Sequence, residues 1–264
     1  MTETNVSRLR ARLRDGPPLV GTFLKLPSLE SVEIARSTGF DLVVIDLEHS
    51  QLDERAGLAL TRHAAAIGLP VLVRTPAVDP AAINRLLEAG ASGFQLSTLR
   101  TRSERDALVS ATRYAPAGTR SVSLAHPVAE YSAVPLPEYL ERSREGALLV
   151  GQIETATTVD TLAEVIAGLD AAFIGTTDLT VDMGKPGKLD DPAVRARVRE
   201  IADAATRAKI ALGAWVPNLD MLGTLGVTLR YVLIASDLQL LRAGFVQAVA
   251  SARKALAAPA KVDA

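Results

Sequence analysis

Short runs of β-branched and other apolar residues alternate with longer segments of helical periodicity along almost the whole chain of 264 residues. Eight such runs lie near residues 20–25, 41–46, 70–74, 92–96, 147–153, 171–175, 211–216 and 230–235. Apolar runs separated by helices are typical of parallel strands joined by right-handed crossovers. The sequence therefore predicts an α/β fold in which eight parallel strands close into a (β/α)8 TIM barrel.

Helices are predicted between these strands, most clearly at residues 29–38, 53–67, 80–89, 102–113, 157–167, 191–208 and 238–256. Two helix starts are marked by Asp79-Pro80 and Asp191-Pro192, because proline is favoured at the first helical position. The polar N-terminal segment also has a helical pattern.

The segment from Tyr114 to Gly146 is too long for an ordinary connection between a strand and a helix. It predicts a functional or interfacial loop with a short helix around residues 138–144. The chain, residues 1–264, is otherwise expected to form one domain, with the barrel at about 18–256 and a frayed tail at 257–264.

Composition excludes several kinds of site and partner. The formal net charge of −1 creates no field that would recruit nucleic acid or a membrane surface. The absence of cysteine excludes disulfides, thiolate nucleophiles and zinc–thiolate sites, so any metal must be bound by oxygen or imidazole. The sequence has neither a secretory apolar region nor a run of roughly 20 apolar residues, and a cytoplasmic protein is expected.

Polar side chains cluster where four predicted strands end. In a parallel barrel, the loops that follow the strands form one active face. Seven residues are expected to meet there, namely Asp46, Glu48, His49, Arg74, Gln152, Glu154 and Asp178. Their convergence predicts an enzyme.

The chemistry of these side chains suggests roles for four of them. Glu154 and Asp178, expected to close adjacent strands, can hold one hard divalent cation. Arg74 can face an anion or a developing enolate oxygen, and His49 is the natural general base at neutral pH. The alternatives are solvated loop acids and an arginine that only forms an ion pair.

Two other mechanisms are disfavoured. A Schiff-base aldolase needs a desolvated lysine inside the barrel, and Lys25 is the only lysine at the end of a predicted strand. No G-x-G-x-x-G motif follows a strand, so no nucleotide cofactor is expected. The glycine- and lysine-containing segment 182–188 is predicted to be a loop.

Six motifs together resemble the HpcH/HpaI family of metal-dependent pyruvate aldolases, which includes 4-hydroxy-2-oxoheptanedioate and 2-keto-3-deoxy-sugar-acid aldolases. The resemblance spans about Gly21 to Arg253. The motifs are GFDLVVIDLEHS (39–50), PVLVRTP (70–76), INRLLEAGASGFQ (83–95), RYAPAGTRSV (113–122), GQIET (151–155) and FIGTTDLTVDMGKPG (173–187).

This resemblance implies a divalent metal, Mg²⁺ or Mn²⁺ with Co²⁺ as a substitute, bound by Glu154 and Asp178. It implies that Arg74 stabilises the enolate oxygen of pyruvate and that His49 moves the proton of the aldol hydroxyl. The other implied site residues are Glu88, which orients His49; Gln152, Gly175, Thr176 and Thr177, which contact substrate; and Asp46 and Glu48, which order metal-bound waters. The usual family assembly implies a homo-hexamer, a trimer of dimers with exchanged C-terminal helices.

Four positions depart from the usual family pattern: Leu47 replaces glycine, Glu88 aspartate, Ser97 an often-present proline, and Thr176 proline. The longer acid at Glu88 can reposition His49. The two hydroxyls of Thr176 and Thr177 are expected beside the carboxylate of pyruvate. Because of these changes, the resemblance does not define which electrophile the pyruvate enolate attacks.

The first expectation is reversible cleavage of a 4-hydroxy-2-oxo acid to pyruvate and an aldehyde. The same site can instead decarboxylate oxaloacetate, condense the enolate with another acceptor as a citrate-synthase-like enzyme does, or cleave a coenzyme A ester. A barrel that binds a keto acid without catalysis is the alternative from another class.

Overall fold

The computed structural model describes residues 5–257 and contains eight parallel strands that close into a barrel in sequence order. The strands are β1 (Leu19–Leu24), β2 (Leu42–Asp46), β3 (Val71–Thr75), β4 (Gly93–Leu96), β5 (Leu148–Ile153), β6 (Ala171–Ile174), β7 (Ala211–Val216) and β8 (Tyr231–Ser236). Pairing of β1 with β8 closes the barrel. The predicted TIM barrel is confirmed, whereas residues 258–264 of the predicted tail lie outside the described residues.

Eleven helices accompany the strands within the described residues. They are α1 (Asn5–Asp15), α2 (Leu29–Ser37), α3 (Glu54–Ala66), α4 (Pro80–Ala89), α5 (Arg102–Thr112), α6 (Leu136–Arg142), α7 (Leu162–Ile166), α8 (Thr176–Asp182), α9 (Pro192–Ala208), α10 (Leu222–Leu225) and α11 (Asp237–Ala257). No helix in residues 5–257 is long and apolar enough to cross a membrane.

The strands are buried on both faces, which explains their nearly continuous apolar sequences. One face packs against the surrounding helices, and the other fills the barrel interior. Leu9 and Leu13 of α1 belong to the interior cluster, together with Leu19 and Tyr231 at the starts of β1 and β8. Helix α1 therefore covers the end of the barrel where the strands begin, and the opposite end, called the rim below, carries the loops that follow the strands.

The observed elements differ from the predicted ones in two places near the rim. Helix α7 begins at Leu162 because Thr161 and Glu164 form a reciprocal capping box there. Helix α8 begins directly after Gly175, where an extended strand end was expected. Asp178 therefore does not close β6 but lies in the first turn of α8, where the helix dipole favours a negative charge.

The close pairing of β4 with β5 depends on Gly93. A Cβ atom added there would lie 2.1 Å from the carbonyl oxygen of Leu148. Gly93→Ala is therefore expected to lower the free energy of unfolding by about 1–3 kcal/mol, the usual cost of overpacking. Urea denaturation measures this loss. Gly223→Ala is the matched control, because an added Cβ meets nothing within 4 Å there; equal losses in both variants would contradict the steric explanation.

Candidate active site

A cavity of about 420 Å³ opens at the rim. Seven of the predicted site residues line it, namely His49, Arg74, Gln152, Gly175, Thr176, Thr177 and Asp178. They come from β2, β3, β5 and β6 or from the segments that follow these strands. The parallel barrel thus brings together side chains that are more than 120 residues apart in the chain.

Asp46 and Arg74 form a buried ion pair between adjacent strands, where the two residues are paired in register. Arg74 Nε donates to Asp46 Oδ1 at 2.9 Å, and Nη2 donates to Oδ2 at 2.6 Å. Burial alone would raise the pKa of Asp46, but the hydrogen bonds and charge of Arg74, with a further bond from Lys25, hold it well below its usual range. Asp46 is therefore an anion that fixes the Arg74 guanidinium.

The segment after β2 wraps around Asp46. The backbone N–H groups of Glu48 and His49 both donate to Asp46 Oδ1 at 3.1 Å. Ser97 Oγ donates to Glu48 Oε1 at 2.7 Å. Serine at this position, where the family often has proline, therefore supplies a hydrogen bond to this acid. The Asp46 carboxylate thus fixes the backbone positions of Glu48 and His49.

The His49 ring lies beside an acid but is not hydrogen-bonded to it. Its Nε2 is 3.7 Å from Glu48 Oε2, and the side chain is 54% exposed. Glu48 Oε2 is buried, lies 3.4 Å from Arg74 Nη1 and has no hydrogen-bond partner among the described residues. A small movement of the ring would give this oxygen a hydrogen-bond donor.

A chain of buried polar side chains crosses the barrel below the cavity. Tyr231 Oη donates to Gln95 Oε1 at 3.2 Å, and Gln95 Nε2 donates to Gln152 Oε1 at 2.5 Å. Gln152 Nε2 in turn donates to Glu154 Oε2 at 2.5 Å. This chain fixes which way the Gln152 amide faces and holds Glu154 from one side.

Thr98 holds Glu154 from the other side. Its backbone N–H and its hydroxyl each donate to Glu154 Oε1 at 2.7 Å. Thr98 adopts the left-handed φ of 48°, an uncommon conformation for this residue type that the turn after β4 imposes. Both oxygens of Glu154 are therefore oriented by named donors.

Glu154 and Asp178 fit a shared cation. Burial raises the pKa of Glu154, the bonds from Thr98 and Gln152 oppose that rise, and the nearby charge of Asp178 adds to it. A cation between the carboxylates would offset both the burial and the repulsion. Gly175 leaves space for this arrangement, since a Cβ there would lie 2.2 Å from Glu154 Oε2.

No third ligating side chain joins these two carboxylates within the described residues. No group of three or more metal-ligating acidic or histidine side chains exists within residues 5–257. The all-oxygen donor pair suits a hard ion, which would take its other ligands from water and substrate. Asp182 Oδ2 accepts from the Ala156 N–H at 2.6 Å and so ties α8 to the segment that follows Glu154.

Glu88 does not lie at this site within one chain. It lies in the last turn of α4, and helices of a barrel run opposite to the strands, so this turn lies near the start of β4 rather than at the rim. Its Oε1 accepts from Asn84 Nδ2 at 3.2 Å. Within one chain Glu88 does not contact His49, and its role in orienting that histidine stays a prediction.

The Thr176 hydroxyl also differs from expectation. It donates to the carbonyl oxygen of Trp215 at 3.0 Å, so it joins β7 to α8 instead of being free for a ligand. Thr177 lines the cavity. The other two histidines are engaged elsewhere, since His63 contacts Glu33 and His126 packs against Tyr139.

Sequence reasoning missed several residues that shape the cavity. Phe23 lies under Arg74, with the guanidinium carbon 4.3 Å from the ring centroid. Trp215 lines the cavity and donates through Nε1 to the Ala235 carbonyl oxygen at 3.0 Å. Lys25 was considered only as an imine-forming lysine. Its position directly after a strand was the available signal that it belongs to the rim.

Comparisons with known proteins identify the family that this chain matches. The model of the HpcH/HpaI aldolase/citrate lyase family matches residues 19–242. A hydroxypyruvate/pyruvate aldolase of Rhizorhabdus wittichii is 32% identical over 260 residues, which cover 94% of this chain and 99% of that protein. A 4-hydroxy-2-oxo-heptane-1,7-dioate aldolase of Shigella sonnei is 32% identical over 212 residues, covering 79% and 80%.

A crystal structure shows the same fold in a related protein. The HpcH/HpaI aldolase/citrate lyase family protein from Burkholderia cenocepacia J2315 superposes with a TM-score of 0.85 at 29% identity, covering 95% of this chain and 100% of that one. The similar proteins from R. wittichii and S. sonnei are named as aldolases. The prediction of a carbon–carbon lyase is thereby confirmed.

Replacing either carboxylate should remove cation binding. Loss of an outer partner of a metal ligand costs about 10–100-fold in affinity, so Glu154→Gln and Asp178→Asn are each expected to weaken Mn²⁺ binding by about 100-fold or more. Electron paramagnetic resonance titration of metal-free protein measures this, and circular dichroism checks folding. Asp203→Asn, an exposed acid on α9, is the control. Wild-type affinity in both variants would mean that other groups bind the ion.

Proposed function

Because the chain belongs to the HpcH/HpaI aldolase/citrate lyase family, we propose that it is a divalent-cation-dependent aldolase. It would reversibly cleave a 4-hydroxy-2-oxo acid to pyruvate and an aldehyde. The observation that carries this proposal is the convergence of His49, Arg74 and Asp178 at one rim cavity, with the buried carboxylate of Glu154 close enough to feel the charge of Asp178. A base, a fixed cationic donor and a place for a hard ion are the groups that this reaction requires.

Glu154 and Asp178 would hold Mg²⁺ or Mn²⁺, with Co²⁺ as a substitute. When bound, such a cation supplies a Lewis acid that stabilises negative charge on a keto oxygen. The bonds from Thr98 and Gln152 keep Glu154 oriented, so little rearrangement is needed for binding. No nucleotide cofactor is required.

Arg74 would bind the oxygen on which the charge of the pyruvate enolate develops. Two of its nitrogens are held by Asp46, and the guanidinium lies over Phe23. Nη1 is the nitrogen that Asp46 does not hold, and Arg74 lines the cavity. A donor that is already fixed before the reaction stabilises developing charge without reorganisation.

His49 would move the proton of the C4 hydroxyl. In cleavage, the imidazole accepts this proton, the C3–C4 bond breaks, and its electron pair forms the enolate of pyruvate while C4 becomes the aldehyde carbonyl. Glu48 Oε2, buried and without a hydrogen-bond partner among the described residues, lies where it can stabilise the resulting imidazolium. The enolate carbon then takes a proton to give pyruvate.

The walls of the cavity suggest how the keto acid would be oriented. Gln152 faces the cavity with its amide direction fixed by Gln95 and Glu154. The segment of Gly175, Thr176 and Thr177 forms the adjoining wall. Because the Thr176 hydroxyl is bonded to Trp215, Thr177 and the backbone of this segment are the groups left to contact a substrate carboxylate.

We also propose that the protein is a homo-hexamer, a trimer of dimers that exchange α11. No residue of this 21-residue helix is buried, and its apolar side chains are exposed. Beside it, an apolar groove of about 610 Å³ between α2 and α11 is lined by Ile34, Leu241 and Phe245 among others. In such an assembly Glu88, which lies away from the rim of its own barrel, could approach the His49 of another copy.

The proposed activity has a direct test. Incubation of the protein with EDTA should abolish release of pyruvate and aldehyde from a 4-hydroxy-2-oxo acid, and added Mn²⁺ should restore it, because no barrel lysine replaces the Lewis acid. Pyruvate is followed with lactate dehydrogenase, and the aldehyde is derivatised. Full activity without metal, or inactivation by borohydride in the presence of pyruvate, would contradict the mechanism; CO₂ without aldehyde would assign a decarboxylase instead.

The role of His49 can be separated from the rest of the site. His49→Ala is expected to slow aldol cleavage by about 10²- to 10⁴-fold, the usual range for general acid–base catalysis. Oxaloacetate decarboxylation should fall far less, since it forms the same enolate without a C4 hydroxyl to deprotonate. Both rates are measured at saturating metal, with His63→Ala as the control. An equal loss of the two reactions would assign His49 to substrate binding.

A further inference from the structure

We propose that Lys25 is a positioning residue that clamps the backbone of His49 from the side opposite Asp46. Its Nζ donates to the carbonyl oxygen of His49 at 2.8 Å and lies 2.7 Å from Asp46 Oδ2. Lys25 follows β1 directly and lines the rim cavity. The kinetic test of this inference rests on the proposed function of His49, whereas the test by nuclear magnetic resonance does not.

The clamp holds both backbone polar groups of one residue. The backbone N–H of His49 donates to Asp46 Oδ1 at 3.1 Å, and its carbonyl oxygen accepts a hydrogen bond from Lys25 Nζ. The two holding groups are themselves joined by the Lys25–Asp46 ion pair. The His49 backbone is therefore part of a closed set of three contacts between β1 and the end of β2.

This backbone clamp matters because the His49 side chain has little else to locate it. The ring is half exposed, and its nearest acid, Glu48, lies beyond hydrogen-bond distance at 3.7 Å. The position of the imidazole thus depends mainly on where its own backbone is held. A general base must lie within hydrogen-bond reach of the proton that it abstracts, so a loosened backbone lowers the rate.

Lys25 is itself well anchored. Asp237, the first residue of α11, accepts hydrogen bonds from the backbone N–H groups of Lys25 and Leu26 at 3.0–3.1 Å. The Lys25 side chain is only 19% exposed, and Asp46 is fully buried. An ammonium group held by a buried carboxylate and a carbonyl oxygen serves as a fixed donor rather than as the neutral amine that imine formation needs.

The clamp lies apart from the carboxylates proposed to hold the cation. Glu154 follows β5 and Asp178 lies in α8 after β6, on the far side of the barrel from β1. Arg74 makes two hydrogen bonds to Asp46 that do not involve Lys25. Loss of Lys25 should therefore disturb His49 while it leaves the cation and Arg74 in place.

Lys25→Met removes the ammonium but keeps an apolar stem of similar length. It is expected to lower kcat for aldol cleavage by about 10–100-fold, the scale of losing a residue that supports a functional group. Oxaloacetate decarboxylation and Mn²⁺ affinity should change by less than about threefold. Lys25→Arg, which retains donors and charge, should recover most of the lost cleavage, and Lys209→Met, at the end of α9, is the matched lysine control.

Nuclear magnetic resonance of ¹⁵N-histidine-labelled protein tests the clamp without using activity. The chain has three histidines, so each ring can be assigned from a single His→Ala variant. In Lys25→Met the ring signal of His49 should shift or broaden, while those of His63 and His126 stay in place. If wild-type protein lacks aldolase activity, the proposed function fails, yet this measurement still decides the clamp.

Two results would overturn the inference. An unchanged His49 signal in Lys25→Met would show that the lysine does not position the ring. An equal loss of cleavage and decarboxylation, or a loss of Mn²⁺ affinity, would show that Lys25 acts on substrate binding or on the whole site instead. Should Lys25→Met not fold, the same comparisons made on Lys25→Gln decide, because its shorter neutral side chain also removes the ammonium that donates to the His49 carbonyl oxygen.

Discussion

The buried carboxylate of Asp46 is the interaction on which the arrangement of the rim depends. It accepts from Arg74 on β3, from Lys25 after β1 and from two backbone N–H groups of its own loop. Asp46 has no exposure to water, and such a buried anion is stable only when opposite charges and hydrogen-bond donors occupy nearly all of its acceptor sites. The same requirement that keeps Asp46 charged therefore fixes the Arg74 guanidinium and the backbone of His49 relative to each other.

Much of this could be predicted from sequence because a parallel barrel converts strand ends into neighbours. Apolar runs that end in polar residues were enough to predict that Asp46, Arg74 and Gln152 lie at one rim, and the structure places them there. The strand boundaries also agree to within about a residue. Such predictions succeed where one local pattern, an apolar run that ends in a polar residue, determines position.

The failures have a different origin, since they concern contacts that no local pattern encodes. Glu88 was assigned by resemblance, and within one chain the direction of α4 places it away from the rim, so that any contact with His49 depends on assembly. The Thr176 hydroxyl was expected beside a ligand, yet a carbonyl on β7 accepts its hydrogen bond. Lys25 was considered for its nucleophilicity, whereas its position is explained by two acceptors 21 and 24 residues further along the chain.

Helix α1, packed across the end of the barrel where the strands begin, has a kinetic consequence. Reactants and products must pass through the rim. Glu154, proposed to hold the cation, and Arg74, proposed to bind the keto acid, are buried, whereas the His49 side chain is half exposed. For the proposed reaction, traffic through one entrance would have an order: in the synthetic direction the keto acid would enter before the aldehyde, and in cleavage the aldehyde would leave first.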